Sequence, residues 1–175
     1  MTPSATDPAR AIVILAQREH EAALVRYATR ILHDAARARD VVQETLLALG
    51  RQPEAGLDAL RPRLAAWLFT VCRRKALNVL RAEGRLSPLD EAPPVVAPDP
   101  DPAAALLRSE DHGQLIALVA RLPERQREVV RLRYQEGFSY EEIAAITEKT
   151  AGHVGVILHH ALAALRREWL ATAAR

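Results

Sequence analysis

The chain has 175 residues, 49% of them apolar and only 4% aromatic, and Ala, Leu, Val and Arg dominate. That composition favours packed helices over sheets, where β-branched and aromatic residues are richer. Cys72 is the only cysteine and no apolar run approaches the ~18–20 residues of a membrane span, so an internal disulfide, a CxxC zinc site and membrane insertion are excluded. The formal net charge of +2 hides a pattern: residues 10–86 carry 14 basic and 8 acidic side chains, residues 87–113 carry 1 and 6, and residues 114–175 carry 9 and 7. The balance does not demand nucleic acid, but the excess in the first block permits it.

The opening "MTPSATDPAR" lacks the basic-then-apolar order of a signal peptide. A soluble cytoplasmic protein is the expectation. In "AIVILAQREHEAALVRYATRILHD", Leu24, Tyr27, Ala28, Ile31 and Leu32 recur at helical spacing and line one face. Asp34 then reads as the N-cap of "AARARDVVQETLLALGR", with Gly50 as its C′ residue. On this second helix Asp40, Gln43, Glu44 and Leu47 sit at i, i+3, i+4 and i+7 and share a face. Val41, Val42, Leu46 and Leu49 can turn inward. A polar stripe with an acidic corner suits a protein partner; a merely solvated helix face has the same spacing.

"QPEAGLDALRP" reads as a loop with room for one short turn of helix. "RLAAWLFTVCRRKALNVLRAEG" is a third helix, with Ala66, Phe69, Leu77 and Leu80 on its buried side and Gly84 at its end. Arg73, Arg74 and Lys75 adjoin one another there, with Asn78 and Arg81 on the same helix and Arg61, Arg63 and Arg85 nearby. Trp67 and Phe69 lie one turn before them. Basic side chains beside aromatics can hold phosphates and stack on unpaired bases. The same aromatics could belong to a core, and the same basic run could simply be solvated.

Between Pro88 and Pro102 fall six prolines, with Asp90, Glu91, Asp99 and Asp101 among them. Proline removes amide donors and biases the preceding residue away from helix, so residues 87–108 read as an extended, acidic linker. Beyond it, "EDHGQLIALVARL" is helical, Pro123 opens "PERQREVVRLRYQEG" as a first helical residue, and Gly137 closes it. "SYEE" is a capping box, Ser139 capping and Glu142 reaching back, that starts the short helix "YEEIAAIT". A final helix begins near Thr150 and runs to about Leu170. Ile143, Ala144, Ile146, Val154 and Leu158 can form a small shared core, which is helix-turn-helix logic, although an ordinary helical hairpin would show it too. Glu148 occupies the turn position where Gly is common. Thr150, Ala151, Gly152 and His153 form the first turn of the last helix, and Gly155 and Val156 fall on its outer face.

No Ser-His-Asp arrangement, glycine-rich phosphate loop or paired-carboxylate motif calls for an enzyme. His153 and His160 share a face but lie two turns apart, roughly 10 Å, too far for one ion, and no metal or other cofactor is expected. The fold class expected is all-α: two small helical domains, residues 10–86 and 109–172, joined by the proline-rich linker.

The order of these pieces resembles the extracytoplasmic-function group of the bacterial sigma-70 family, over nearly the whole chain. "RDVVQETLLALGR" followed by "AAWLFTVCRRKALNVLR" looks like sigma region 2. "LPERQREVVRLRYQEGFSYEEIAAIT" followed by "AGHVGVILHHALAALRR" looks like region 4. The resemblance implies an alternative sigma factor that binds core RNA polymerase and directs promoter recognition, with no catalysis of its own. It implies that Asp40, Gln43, Glu44 and Leu47 dock on core polymerase. Arg61, Arg63, Trp67, Arg73, Arg74, Lys75, Asn78 and Arg81 would open the −10 element and hold the melted strand. Lys149, Thr150, Ala151, Gly152, His153, Gly155, Val156 and His159 would read double-stranded −35 DNA, and an anti-sigma factor is the expected regulator. The family often has Asn where this chain has Arg74, and places basic residues where this chain has Gly155, Ile157, His160 and Leu162. Two other classes stay open on the residues: a sigma-like interaction protein that occupies an anti-sigma factor or polymerase without reading DNA, and an ordinary helix-turn-helix regulator, which leaves the first block unexplained.

Overall fold

The computed structural model describes residues 8–85 and 110–173. The linker expected at 87–108 lies outside the described residues, as do Leu86 and Ser109 at the expected domain edges. Every regular element among the described residues is a helix, and the chain divides into two compact units. Among them no helix is long and apolar enough to cross a membrane.

The first unit is three long helices and one short one. α1 (Pro8–Leu32) packs against α2 (Ala35–Gly50) and α4 (Leu64–Ala82), and these two pack on each other. Leu24, Ala28 and Leu32 of α1, Val42 and Leu49 of α2, and Leu68, Phe69, Cys72 and Ala76 of α4 are fully enclosed. Each large apolar side chain buried this way contributes about 1.5–3 kcal/mol. The rings of Tyr27 and Phe69 meet at 5.1 Å, tilted by 43°. Ile31 and Leu77, expected inside, are only half-buried.

The helix ends follow local chemistry, with exceptions. Asp34 caps α2 as expected, accepting from the amides of Ala36 (2.9 Å) and Arg37 (3.1 Å). Gly50 is not a left-handed C′ residue: it is the last residue of α2, and Arg51 caps in the right-handed region. Gly84, at φ 67°, ends α4, where Gly84 and Arg85 donate back to Arg81 (3.0 Å) and Leu80 (2.9 Å), satisfying two terminal carbonyls. The expected loop after α2 is more ordered than its Pro and Gly suggested. It forms α3 (Glu54–Leu60) and a 3₁₀ turn (Arg61–Arg63), because Leu57 and Leu60 are buried and anchor it.

Inside this unit two polar groups satisfy each other's neighbourhood. Thr45 donates to the Val41 carbonyl at 2.8 Å. Burial pushes the Cys72 thiol up to about 12, partly offset by a hydrogen bond with Thr45. A raised folded value means that the unfolded chain loses this proton first, near the ordinary 9.0. Stability from this group is therefore complete below pH 9 and is lost as pH rises toward 12, by up to about 1.4 kcal/mol per pH unit. Urea unfolding of parent and Cys72→Ala at pH 8 and pH 10 should show a loss between the two pH values that is larger in the parent by about 1 kcal/mol. Equal losses would mean that the thiol is not enclosed.

The remaining helices are α5 (Glu110–Arg121), α6 (Glu124–Tyr134), α7 (Tyr140–Thr147) and α8 (Ala151–Ala173), with α8 packed on α5 and α6. Pro123 is the N-cap of α6 rather than its first helical residue. Arg127 is buried: one terminal nitrogen donates to the Ala120 carbonyl (2.9 Å) and the other pairs with Glu124, while its Nε has no hydrogen-bond partner among the described residues. Gly137 has φ 79°. The capping box is present in both directions: the Ser139 amide donates to Glu142 at 2.8 Å and the Glu142 amide to Ser139 Oγ at 3.2 Å. Ile143, Ala144, Ile146, Val154 and Leu158 are all buried.

The turn between α7 and α8 is tight. Glu148 stands at φ 57°, and the Lys149 amide donates to the Ala144 carbonyl at 2.9 Å. A left-handed position costs an L side chain about 1 kcal/mol, and a β-branched one more. Glu148→Gly should therefore raise the thermal midpoint slightly, while Glu148→Val lowers it by about 1–2 kcal/mol of stability, read by circular dichroism. A stabilising Glu148→Val would contradict this backbone geometry.

Candidate nucleic-acid and partner interfaces

α2 shows its two faces as its spacing requires. Val41, Val42, Leu46 and Leu49 are buried, while Asp40, Gln43, Glu44 and Leu47 are all exposed. Leu47 is 59% exposed, an apolar side chain among carboxylates and an amide. A large exposed aliphatic group with polar neighbours has the composition of a partner surface. Glu44 has an additional role: its Oε2 accepts from Lys75 Nζ of α4 at 2.9 Å.

The basic run on α4 is not a single patch. Consecutive helical residues point about 100° apart, so Arg73, Arg74 and Lys75 diverge. Arg73 and Lys75 are half-buried, and Lys75 is held by Glu44. Arg74 is exposed and shares its face with Asn78 and Arg81, four and seven residues on; Arg81 donates to Asn78 Oδ1 at 2.9 Å. Trp67, seven residues before Arg74, is half-exposed, whereas Phe69 is buried against Tyr27 and is no platform. Arg61 and Arg63 are exposed on the 3₁₀ turn, and Arg61 pairs with Asp58 at 3.2 Å. The structure thus brings together Trp67, Arg74, Asn78 and Arg81 on one side of α4, and separates Arg73 and Lys75 from them. Such a stripe can neutralise phosphates and offer an aromatic edge to unpaired bases.

In the last helix, Thr150 is the N-cap, not part of the first turn: its Oγ1 accepts from the His153 amide at 3.2 Å. Gly152, His153, Val156 (55% exposed) and His159 lie open, Ala151 and Lys149 are half-buried, and Thr150 is exposed. Gly155 departs from expectation. It is half-buried, and a side chain there would begin 3.5 Å from the Tyr140 ring rather than on the open face. A Cβ at that distance would make ordinary contact with the ring, so it is a longer side chain, not a methyl group, that would meet Tyr140. On Tyr140, in turn, sits the Arg133 guanidinium, 5.5 Å from the ring centroid and donating to the Phe138 carbonyl at 2.9 Å. Sequence reasoning did not single out Tyr140; its signal was the pairing of an aromatic at the start of α7 with a glycine one turn into α8. It also left His160 out of the reading face, although His160 is exposed beside His159, their rings edge-on at 5.7 Å. A short capped helix, a tight turn and a long helix with an open face can present that face to a major groove.

Two family profiles match the chain. One described as Sigma-70 region 2 covers residues 17–86, and one described as Sigma-70, region 4 covers residues 112–165. The chain is 37% identical over 151 residues to the ECF RNA polymerase sigma factor SigL of Mycobacterium tuberculosis, covering 85% of this chain and 83% of that protein. It is 35% identical over 155 residues to the RNA polymerase sigma-E factor of Streptomyces coelicolor, covering 88% and 84%. A sigma-E factor of Streptomyces avermitilis is 34% identical over 152 residues, covering 86% and 81%.

Proposed function

Because the chain belongs to the sigma-70 family, in its extracytoplasmic-function group, and is an alternative sigma factor that directs transcription initiation, we propose how its surfaces divide that work. The α2 face of Asp40, Gln43, Glu44 and Leu47 docks on core polymerase. Trp67, Arg74, Asn78 and Arg81 of α4, with Arg61 and Arg63, hold the melted −10 strand. The open face of α8, around Gly152, His153, Val156 and His159, lies against −35 duplex. Residues 10–86 and 109–172 act as the two working domains, with 87–108 as the tether. A protein of this kind works in the cytoplasm beside RNA polymerase, and an anti-sigma factor would act by covering one of these faces.

The observation that carries this reading is the segregation on the first unit. An acidic face with an exposed leucine occupies α2, and a basic stripe with a half-exposed tryptophan occupies α4. One surface suits a protein with basic groups, and the other a polyanion. Run-off transcription on a candidate promoter with core polymerase tests it. A discrete transcript that requires this chain is expected. Stable retention on core without any transcript would instead favour a protein that occupies polymerase without reading DNA.

A further inference from the structure

Between Gly152 and Leu165 the chain has no Lys or Arg, yet the open side of this stretch is not simply apolar. His153, His159 and His160 are exposed there, around Val156 and Ala163. Imidazole is the side chain that ordinarily changes charge between pH 5 and 8. Protonated, it carries a cation and donates from both ring nitrogens; neutral, it has one donor and one acceptor. We propose that the DNA-binding face of α8 is proton-dependent, with His153 and the His159–His160 pair supplying as imidazolium the phosphate contacts that Lys and Arg supply elsewhere. The proposal rests on the reading that α8 lies against duplex DNA.

The geometry sets how many backbone contacts this face can offer. The rings of His159 and His160 are edge-on with centroids 5.7 Å apart, so the pair addresses one phosphate site, and His153, nearly two turns before, addresses a second. The surroundings do not supply a fixed counter-charge: among the described residues no carboxylate is paired with these imidazoles. Of the charged groups on the elements packed with α8, Arg121 pairs with Glu168 at 3.7 Å and Arg127 with Glu124. Arg133 lies over Tyr140, and Glu142 takes the Ser139 amide. Arg125, Glu128 and Arg131 have contacts of their own. Glu141 and Glu148 are exposed, Lys149 is half-buried, and Arg166 and Arg167 are exposed beyond Leu165.

The test is fluorescence anisotropy of the full chain on a labelled mixed-sequence duplex of about 20 base pairs, at pH 6 and pH 8 and across a salt series. The parent should tighten on acidification about 10-fold more than the triple variant His153→Gln, His159→Gln, His160→Gln, whose side chains stay neutral. At pH 6 its salt dependence should be steeper than the variant's by about two units. His160→Arg should bind more tightly than the parent at pH 8 and show a smaller pH ratio. Val156→Asp, at the centre of the same face, reports the underlying reading and should weaken binding at both pH values. If parent and triple variant share one pH ratio while Val156→Asp still weakens binding, the proton dependence is overturned and the placement of α8 stands. If Val156→Asp changes nothing, the placement falls, and the proposal with it.

Discussion

Asp40→Lys combined with Glu44→Lys should all but abolish co-purification with core polymerase, while circular dichroism shows an unchanged helical chain. Both side chains are exposed on α2, and neither contributes to its cap or to its buried face. The double reversal swaps two attractive charges for two repulsive ones against a basic partner. Like-charge juxtaposition across an interface costs several kcal/mol, which corresponds to about a 100-fold or greater loss of affinity. Leu47→Ala should cost less, about 1–3 kcal/mol, because it removes an apolar anchor without adding repulsion. Undiminished binding by the double reversal would show that polymerase approaches from another side of the first unit.

On α4 the larger effect is expected from Arg74 and Arg81, not from the run Arg73–Arg74–Lys75. Arg74→Ala with Arg81→Ala removes the two exposed cations that flank Asn78. Open-complex formation should fall by about 10-fold or more, and the salt dependence of strand binding should flatten by about 1.4 units for two lost phosphate contacts. Arg73→Ala with Lys75→Ala should have the smaller effect, since both are half-buried and Lys75 is engaged by Glu44. Permanganate reactivity of the melted strand in the assembled holoenzyme measures both. A stronger defect in the second pair would mean that the Glu44 bridge opens and Arg73 swings out in the working complex.

What could be read in the sequence is what depends on spacing and short-range chemistry. The buried face of α2, the Asp34 cap, the Ser139–Glu142 box and the terminating Gly84 each follow from residues within one or two turns of one another. So does the exposure of Asp40, Gln43, Glu44 and Leu47. What escaped depends on contacts across the chain. Leu57 and Leu60 order a segment whose own Pro and Gly argue for a loop, because burial outweighs weak propensity. Gly155 reads as an open helical position until Tyr140, 15 residues earlier, is seen against it. Adjacency in sequence also misled: "RRK" looks like one cluster in print, but a helix distributes its members over three directions.

The bridge between Glu44 and Lys75 ties the α2 face proposed to dock on polymerase to a cation that borders the α4 stripe proposed to hold DNA. On that proposal the two equilibria on this unit are not independent variables. Whatever draws Glu44 outward leaves Lys75 with its charge unmatched beside the basic stripe, and whatever draws Lys75 outward does the same for Glu44. Linkage requires the favour to be mutual and equal in both directions. Its size is bounded by the pair itself, whose partners are 28% and 63% exposed, so it amounts to less than about 1 kcal/mol, or roughly a fivefold effect. A single replacement at either end consequently reports on both surfaces at once, and only a cycle of both single variants and the double variant separates the docking energy from the cross-talk.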